Sequence, residues 1–269
     1  KSKLKPIIDR NKMIMSLPII DKVIQKKILK ELTAAFGGNF YEVIIGGAAF
    51  NPEVEAFFKK IGFPLTVGYG MTECAPIITY ADWKEARLTS CGREVMNMKV
   101  RIDSSDPENI PGEIQVSGPN VFLGYYKNEQ ATAEVTTDDG WFRTGDMGII
   151  DKDGFLYIRG RSKCMILGPS GQNIYPEEIE AVVNNVNYVV DSLVIEDHGN
   201  LVSLIFPDYH QAELDGLSKD QLEERINSAL PEINKQIPNY AKISKIEFLP
   251  EDFERTPKRS IKRYLYQRN

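Results

Sequence analysis

The sequence predicts an α/β segment, then a mostly antiparallel β segment, then a small α+β domain. Residues 1–89 contain a strand–helix–strand pattern whose spacing is typical of two parallel strands joined by a crossover helix. Residues 90–161 are short apolar runs separated by Asp-Pro, Pro-Gly and Asp-Gly pairs, which favours antiparallel hairpins. Residues 162–269 again mix helices and strands, so we predict a domain boundary after Arg161.

The parallel pair is predicted from two apolar runs, 41–45 and 63–67. Asn51 is the expected N-cap of the helix between them, because its side chain can accept from the free backbone N–H groups of a first turn. Gly46 and Gly68 follow the two strands directly. Both glycines should therefore lie at the carboxyl ends of parallel strands, where α/β sheets bind ligands.

The remaining elements are predicted from shorter patterns of the same kind. We expect further strands at 98–102, 112–117, 147–150, 155–158, 188–195, 201–207 and 243–249, and helices at 176–185 and 219–230. The strands at 188–195 and 201–207 should form a second pair, joined through Asp197-His198-Gly199-Asn200. The segment Asp151-Lys152-Asp153-Gly154, directly before the strand at 155–158, is typical of a hairpin.

Composition excludes several classes of protein. The net charge of −5 argues against a nucleic-acid binder, which usually has a basic domain. Three separated cysteines, Cys74, Cys91 and Cys164, form no CxxC pair, so we expect packed thiols in a reduced, cytoplasmic setting. Two histidines are too few for a His-rich metal site, and no apolar run approaches the roughly 20 residues that span a bilayer.

Basic residues are concentrated at both ends of the chain. Residues 1–30 carry nine Lys/Arg against two Asp, and residues 255–269 carry six Lys/Arg and no acid. Such an edge can attract phosphates or an anionic lipid surface, which would give peripheral contact with the inner membrane face. A solvated helix face or tail is the other interpretation.

The segment Gly68-Tyr69-Gly70-Met71-Thr72-Glu73 carries the chemistry that first suggests a ligand. Glycines allow backbone N–H groups to approach a phosphate, and Thr72 can donate to a phosphoryl oxygen. Glu73 can bind Mg²⁺, which prefers hard oxygen ligands. A purely structural turn at the end of a strand is the alternative.

Five segments in a fixed order resemble the adenylate-forming (AMP-binding) superfamily of acyl-CoA synthetases, adenylation domains and luciferases. They are Gly46–Ala48, Gly68–Glu73, Trp141–Asp146, Gly160–Lys163 and Gly168–Pro176. The run from Gly168 to Glu180 is most similar to bacterial long-chain fatty-acid–CoA ligases. The resemblance extends from about residue 40 to the C-terminus. It implies the end of a large AMP-binding domain followed by a small mobile α+β domain.

The resemblance implies a site for ATP or AMP with Mg²⁺. Asp146 would accept both ribose hydroxyls, and Arg161 would bind ribose or phosphate oxygens. Thr72 and Glu73 would bind the phosphates and the metal, with catalytic roles. An Asp that caps a turn and an Arg in an ion pair at a domain edge are the structural alternatives.

Further implied site residues are Gly46, Gly47, Ala48, Gly68, Tyr69, Gly70, Lys163 and Gly171. The small residues leave room for a ring or an acyl chain, or form a simple tight turn. Tyr69 would stack on adenine, unless it is a packed core aromatic. Lys163 would be the hinge between the two domains, and Gly171 would line the channel for the pantetheine arm of coenzyme A. A surface lysine and a passive connection are the alternatives.

The chain departs from the family pattern in two places. No Ser/Thr/Gly-rich loop with a lysine, which would bind the β- and γ-phosphates, occurs in the 269 residues. We therefore expect the C-terminal portion of a ligase, inactive alone. In the tail, Ser260 stands where the family has a catalytic lysine. Lys258, Arg259 or Lys262 could substitute for it, and we favour Lys262.

The resulting hypothesis for the full-length protein is an ATP-dependent long-chain fatty-acid–CoA ligase with fatty acid, ATP and coenzyme A as substrates. An enzyme that loads a carrier protein, a non-catalytic acyl-adenylate or nucleotide-binding module, and a folding or partner-binding unit are the alternatives. The sequence leaves the acyl chain length and the oligomeric state open.

Overall fold

The computed structural model describes residues 20–169, 171–257 and 259–268, which form two compact units. The first unit contains the residues up to Met98 with Pro119–Phe122 and Gly154–Leu156. The second contains Lys99–Gly118, Leu123–Asp153 and the residues from Tyr157 onward. This division by contacts differs from the functional boundary expected after Arg161, which stays a prediction.

The first unit has two small sheets and two helices. Its elements are α1 (Ile20–Ala35), β1 (Val43–Ile45), α2 (Pro52–Ile61), β2 (Leu65–Val67), β3 (Tyr69–Gly70), β4 (Ile77–Tyr80) and β5 (Arg93–Glu94). Strands β1 and β2 pair in parallel, which confirms the predicted crossover unit, and β3, β4 and β5 form an antiparallel sheet. The core between the helices and the parallel pair consists of Ile28, Leu32, Phe58, Ile61 and Phe63.

Helix α2 begins where the sequence predicts. The Asn51 side chain accepts from the backbone N–H groups of Glu53 (2.9 Å) and Val54 (3.1 Å). The helix ends at Gly62, whose φ of +72° favours a residue without a Cβ atom. These caps fix the direction in which the chain enters β2.

The second unit begins with a four-stranded sheet in the order β6-β7-β8-β9. The strands are β6 (Lys99–Asp103), β7 (Gly112–Ser117), β8 (Phe142–Ile150) and β9 (Leu156–Arg161), with helix α3 (Glu129–Glu134) between β7 and β8. The pairs β6–β7 and β7–β8 are antiparallel, as predicted. Strand β8 starts five residues earlier than the sequence suggested, at the Phe142 of the Trp-Phe-Arg-Thr-Gly-Asp motif.

The rest of the second unit is an α+β fold. Its elements are β10 (Ile166–Leu167), β11 (Asn173–Ile174), α4 (Pro176–Val183), β12 (Val189–Asp197), β13 (Asn200–Pro207), α5 (Tyr209–Leu214), α6 (Lys219–Asn227), α7 (Leu230–Gln236) and β14 (Ile243–Phe248). The sheet order is β12-β13-β14. Strands β12 and β13 pair antiparallel, which confirms the predicted strand pair. Both central residues of the turn between them have positive φ, +50° at His198 and +79° at Gly199, as a type I′ turn requires.

Two apolar clusters stabilise this sheet. The cluster that includes the helices contains Ile179, Val183, Leu222, Ile226 and Ile233, and the other contains Leu193, Ile195, Val202, Leu204 and Phe253. Alternation along β12 and β13 therefore buries side chains on both faces. Among the described residues, no helix has the length and apolar character needed to cross a membrane.

Candidate functional site

The carboxyl ends of β1 and β2 meet, as predicted. The Gly68 N–H donates to the Ile45 carbonyl (2.8 Å), and a Cβ atom on Gly46 would lie 3.2 Å from the Gly68 carbonyl oxygen. Gly46, Gly47 and Ala48 are exposed, and Gly47 has φ +83°. The small residues therefore leave an open backbone edge beside the two strand ends.

The Thr72–Glu73 segment forms a 3₁₀ turn, Thr72–Cys74, between β3 and β4. Its entry is tight, because a Cβ atom on Gly70 would come 2.1 Å from the Pro76 carbonyl oxygen. The Thr72 side chain is exposed and Glu73 is half-buried. Tyr69 is only 7% exposed, which agrees with the packed-core interpretation, and its stacking on adenine stays a prediction.

A segment that the sequence did not single out holds this turn. The Asn120 side-chain amide donates to the carbonyl oxygens of Cys74 (2.7 Å) and Ile77 (3.0 Å). The Phe122 N–H donates to the Glu73 carbonyl oxygen (2.8 Å). Asn120 lies 46 positions from Cys74, so no local pattern could have revealed the contact.

Asp146 is positioned by a bulge in β8. Glu113 of β7 pairs with Met147 and Gln115 pairs with Arg143, so three residues of β8 lie opposite one residue of β7. Gly145, in the middle of the bulge, has φ +72°. Bulges redirect side chains relative to a regular strand. The Thr-Gly-Asp motif therefore forms a bulge within a strand, and the direction of the Asp146 side chain depends on pairing with β7.

Hydrogen bonds fix the bulge on both sides of Gly145. The Thr144 hydroxyl donates to the Ile114 carbonyl (2.8 Å) and accepts from the Asp146 N–H (3.1 Å). The Gly145 N–H donates to the carboxylate of Glu113 (3.2 Å), which also pairs with Arg143 (2.9 Å). Glu113 is thus a second positioning group that the sequence did not single out.

Asp146 and Arg161 are in direct contact. Arg161 Nε lies 3.0 Å from Asp146 Oδ1. The Asp146 side chain is 8% exposed, whereas that of Arg161 is 64% exposed. The pair therefore joins a buried, oriented carboxylate to a guanidinium whose other donors face solvent. This arrangement can bind neighbouring hydroxyls and an anionic group at the same time.

The connection after Arg161 is packed against helix α4. Lys163 is exposed in the 3₁₀ turn Ser162–Cys164, and its hinge role stays a prediction. A Cβ atom on Gly160 would lie 2.7 Å from Glu177 Oε2. Glu177 is half-buried, and its Oε2 atom has no hydrogen-bond partner within the described residues. Helix α4 therefore directs this carboxylate towards Gly160 of β9.

The predicted coenzyme A loop is a short hairpin. Strands β10 and β11 pair antiparallel, and the Gly168 N–H donates to the Gln172 carbonyl (2.8 Å). Gly171 is exposed with φ +80°, and a Cβ atom there would contact nothing. The backbone is therefore accessible at Gly171, and its role towards coenzyme A stays a prediction.

The basic tail folds into a tight turn in which Ser260 and Arg259 are exposed. The Thr256 N–H donates to the Ser260 carbonyl (2.8 Å). Lys262 Nζ lies 3.0 Å from Glu254 Oε2, and this hydrogen bond raises the pKa of Lys262. Lys262 is therefore a charged group in an ion pair, and its catalytic role stays a prediction. Lys258 lies outside the described residues.

The cysteines do not provide a nucleophile. Cys74 and Cys91 are buried and Cys164 is half-buried, all as free thiols. Burial raises the pKa of Cys74 to about 11 and also raises that of Cys164, which disfavours the reactive thiolate. Among the described residues, no group of three His, Cys, Asp or Glu side chains is arranged around a metal position.

The structure thus brings some of the predicted site residues together. Asp146 and Arg161 are in contact in the second unit. Gly46 and Gly68 adjoin in the first unit, which also contains Thr72 and Glu73. The convergence of all four polar residues on one nucleotide stays a prediction.

Comparison with known proteins identifies the family. Residues 12–126 match the AMP-binding enzyme family, and residues 165–269 match the AMP-binding enzyme C-terminal domain. The chain therefore belongs to the AMP-binding enzyme family, as its motifs predicted.

Relatives are similar along most of the chain. A long-chain-fatty-acid–CoA ligase, FadD15 of Mycobacterium tuberculosis, is 31% identical over 261 residues, 90% of this chain and 42% of the relative. A 2-succinylbenzoate–CoA ligase of Bacillus cytotoxicus is 38% identical over 180 residues, 63% of this chain and 37% of the relative. The chain thus spans less than half the length of these curated relatives.

Solved structures show the same architecture. ATP-bound MatB from Rhodopseudomonas palustris has a TM-score of 0.69 at 25% identity, over 91% of this chain and 49% of that chain. MenE of Bacillus subtilis in complex with an acyl-adenylate has a TM-score of 0.70 at 24% identity, over 88% and 49% of the two chains. The fold is that of the end of an adenylate-forming domain with its small α+β domain.

Proposed function

We propose that this chain is the C-terminal portion of an ATP-dependent long-chain fatty-acid–CoA ligase. The observation that carries the proposal is the Asp146–Arg161 pair, a buried carboxylate fixed in a strand bulge beside an exposed guanidinium. Similarity to FadD15, a long-chain-fatty-acid–CoA ligase, supports the substrate class. Because the chain spans only 42% of that relative, the activity is assigned to the whole protein.

The proposed reaction has two steps. A carboxylate oxygen of the fatty acid attacks the α-phosphorus of ATP, which forms acyl-AMP and releases pyrophosphate. The sulfur of coenzyme A then attacks the acyl carbonyl carbon; the thioester forms, the bond to AMP breaks, and the thiol proton is released. No covalent enzyme intermediate is needed, so the protein contributes positioning and charge stabilisation.

Each named residue has a role that its environment permits. Asp146 accepts the two ribose hydroxyls, because the bulge fixes its backbone and Arg161 Nε contacts its carboxylate at 3.0 Å. Arg161 donates its solvent-facing N–H groups to ribose or phosphate oxygens. The exposed Thr72 hydroxyl donates to a phosphoryl oxygen. The hairpin that carries Gly171 lies beside the pantetheine arm in the second step.

Magnesium fits the donor set of the first unit. Mg²⁺ is usually held by one or two carboxylates together with substrate phosphates, so a cluster of protein ligands is not required. Glu73 is the carboxylate we assign to it, since it is half-buried on a turn whose backbone is fixed. When bound, the ion neutralises charge on the phosphates.

Two other functions are distinguished by specific features. An enzyme that loads a carrier protein would use the same nucleotide site, and only the acceptor separates it from a CoA ligase. A non-catalytic nucleotide-binding module is favoured by Ser260, because a serine side chain supplies no cation at the position where the family has its catalytic lysine.

The test is pyrophosphate release by the whole protein with ATP, Mg²⁺ and fatty acids of increasing chain length. Asp146→Asn should lower kcat/KM for ATP by about 10- to 150-fold, the value of one hydrogen bond to a charged group (about 1.5–3 kcal/mol). Asp138→Asn, at an exposed acid, is the matched control and should leave kcat/KM unchanged.

Three outcomes are decisive. Pyrophosphate release that increases with the chain length of the fatty acid, together with a thioester formed on free coenzyme A, supports the long-chain fatty-acid–CoA ligase. Product on a carrier protein but not on coenzyme A supports the first alternative. Binding of AMP without any pyrophosphate release refutes the enzyme and supports the non-catalytic module.

A further inference from the structure

Backbone contacts close the base of the turn Thr72–Cys74. The Met71 N–H donates to the Pro76 carbonyl (2.8 Å), and Gly70 passes so close to Pro76 that a Cβ atom would overlap its carbonyl oxygen. Within the turn, the Cys74 N–H donates back to Met71 (3.0 Å). These bonds close the loop but do not orient the carbonyl groups of Glu73 and Cys74.

Those carbonyl groups are held by residues 120–122. Asn120 Nδ2 donates one hydrogen to Cys74 O (2.7 Å) and the other to Ile77 O (3.0 Å). The Phe122 N–H donates to Glu73 O (2.8 Å). Both hydrogens of the amide are therefore used on the two sides of the turn. A short segment from elsewhere in the chain thus braces Glu73, Cys74 and Ile77.

The Asn120 side chain does this at a cost. Its Oδ1 atom is buried without a hydrogen-bond partner within the described residues. A buried acceptor left unpaired destabilises the folded state. The amide NH₂ group of Asn120 supplies both donated bonds, one to each of the two facing carbonyl groups.

We propose that Asn120 is a positioning residue for phosphate and magnesium recognition by Thr72 and Glu73. It acts through the backbone of the turn and does not touch the substrate. The inference rests on the proposed function, because it assigns the turn to the nucleotide. A displacement of about 1 Å of a positioned group can cost about 100-fold in rate, so loosening the turn should weaken recognition without removing either side chain.

The first experiment is hydrogen exchange on the whole protein, compared between wild type and Asn120→Ala. Exchange at the amides of Met71 and Cys74 should be faster in the variant, because the turn that they close has lost its brace. Asn234→Ala is the matched control. The Asn234 side chain also bridges backbone groups, the N–H and C=O of Ile243 (both 2.9 Å), but in the α+β part. It should leave exchange in the turn unchanged.

The second experiment measures pyrophosphate release by the whole protein over a range of Mg²⁺ and ATP concentrations. In Asn120→Ala the Mg²⁺ concentration for half-maximal rate should rise about tenfold, and kcat/KM for ATP should fall by about 10- to 100-fold. Asn234→Ala should keep the wild-type Mg²⁺ requirement even where it lowers thermal stability. If Asn120 acts through Glu73, the two substitutions should not be additive. Asn120→Ala should then lower kcat/KM for ATP by less than about threefold in a protein that already carries Glu73→Gln.

The outcomes separate the inference from the proposed function. The inference is overturned if the half-maximal Mg²⁺ concentration and kcat/KM for ATP of Asn120→Ala stay within about twofold of wild type. Unchanged amide exchange at Met71 and Cys74 would also overturn it. Should the wild-type whole protein release no pyrophosphate, the proposed function falls, and with it the catalytic part of the inference. If Asn120→Ala does not fold, Asn120→Ser takes its place, because serine keeps one hydrogen-bond donor. Its changes in amide exchange, Mg²⁺ requirement and kcat/KM for ATP should be smaller and in the same directions. Wild-type values of all three would again overturn the inference.

Discussion

Replacing Arg263 by methionine tests how strongly a buried ion pair stabilises the α+β part of the second unit. Glu180 on α4 is 7% exposed. Its Oε1 accepts from Arg263 Nη1 (2.8 Å) and from the Val194 N–H (2.7 Å), and its Oε2 pairs with Arg263 Nη2. Arg263 belongs to the 3₁₀ turn Arg263–Leu265. The Arg263 guanidinium therefore connects the C-terminal turn to α4, and Glu180 connects α4 to the edge strand β12.

The expected loss in unfolding free energy is about 3–5 kcal/mol near neutral pH, because the change leaves a buried carboxylate with a single backbone donor. Burial already raises the pKa of Glu180, and removing the cation raises it further. A folded-state pKa above the unfolded value means that the folded state binds more protons. The variant therefore loses stability as the pH rises from the ordinary Glu pKa, and the loss should be smaller near pH 5.

The assay is urea unfolding followed by far-UV circular dichroism at the two pH values. Lys235→Met is the matched control, because its pair with Glu232 (2.9 Å) is 72% and 66% exposed and should contribute no more than about 1 kcal/mol. Adding Glu180→Gln to Arg263→Met should recover most of the loss, since Gln still accepts from the Val194 N–H. A loss below about 1 kcal/mol, similar to the control, would refute the reasoning.

Two further predictions concern the candidate site. Gly70→Ala should destabilise the first unit by about 1–3 kcal/mol or more, because its Cβ atom would lie 2.1 Å from the Pro76 carbonyl oxygen. Gly46→Ala, whose Cβ atom would lie 3.2 Å from the Gly68 carbonyl oxygen, should cost less, and equal urea midpoints would contradict this. Lys262→Ala should slow pyrophosphate release by the whole protein about tenfold or more, because the ammonium group that we assign to this role would no longer neutralise charge on the carboxylate and α-phosphate in the transition state. An unchanged rate would refute that assignment.

Local patterns were sufficient for most elements of secondary structure. Asn51 specifies the start of α2 through bonds to the next residues along the chain. The Asp197–Asn200 turn specifies its hairpin because His198 and Gly199 adopt positive φ. In each case the decisive contacts join residues within a few positions of one another, so their chemistry is visible in a short window of sequence.

The sequence by itself determined the family, the order of the motifs and the strand ends at which Gly46 and Gly68 lie. Only the tertiary structure decided how those motifs are held. The bulge that orients Asp146, the Asn120 brace on the Thr72–Cys74 turn and the Arg263–Glu180 pair join residues separated by 30, 46 and 83 positions. Such contacts depend on which strands and helices pack together, and a pattern within one segment does not contain that information.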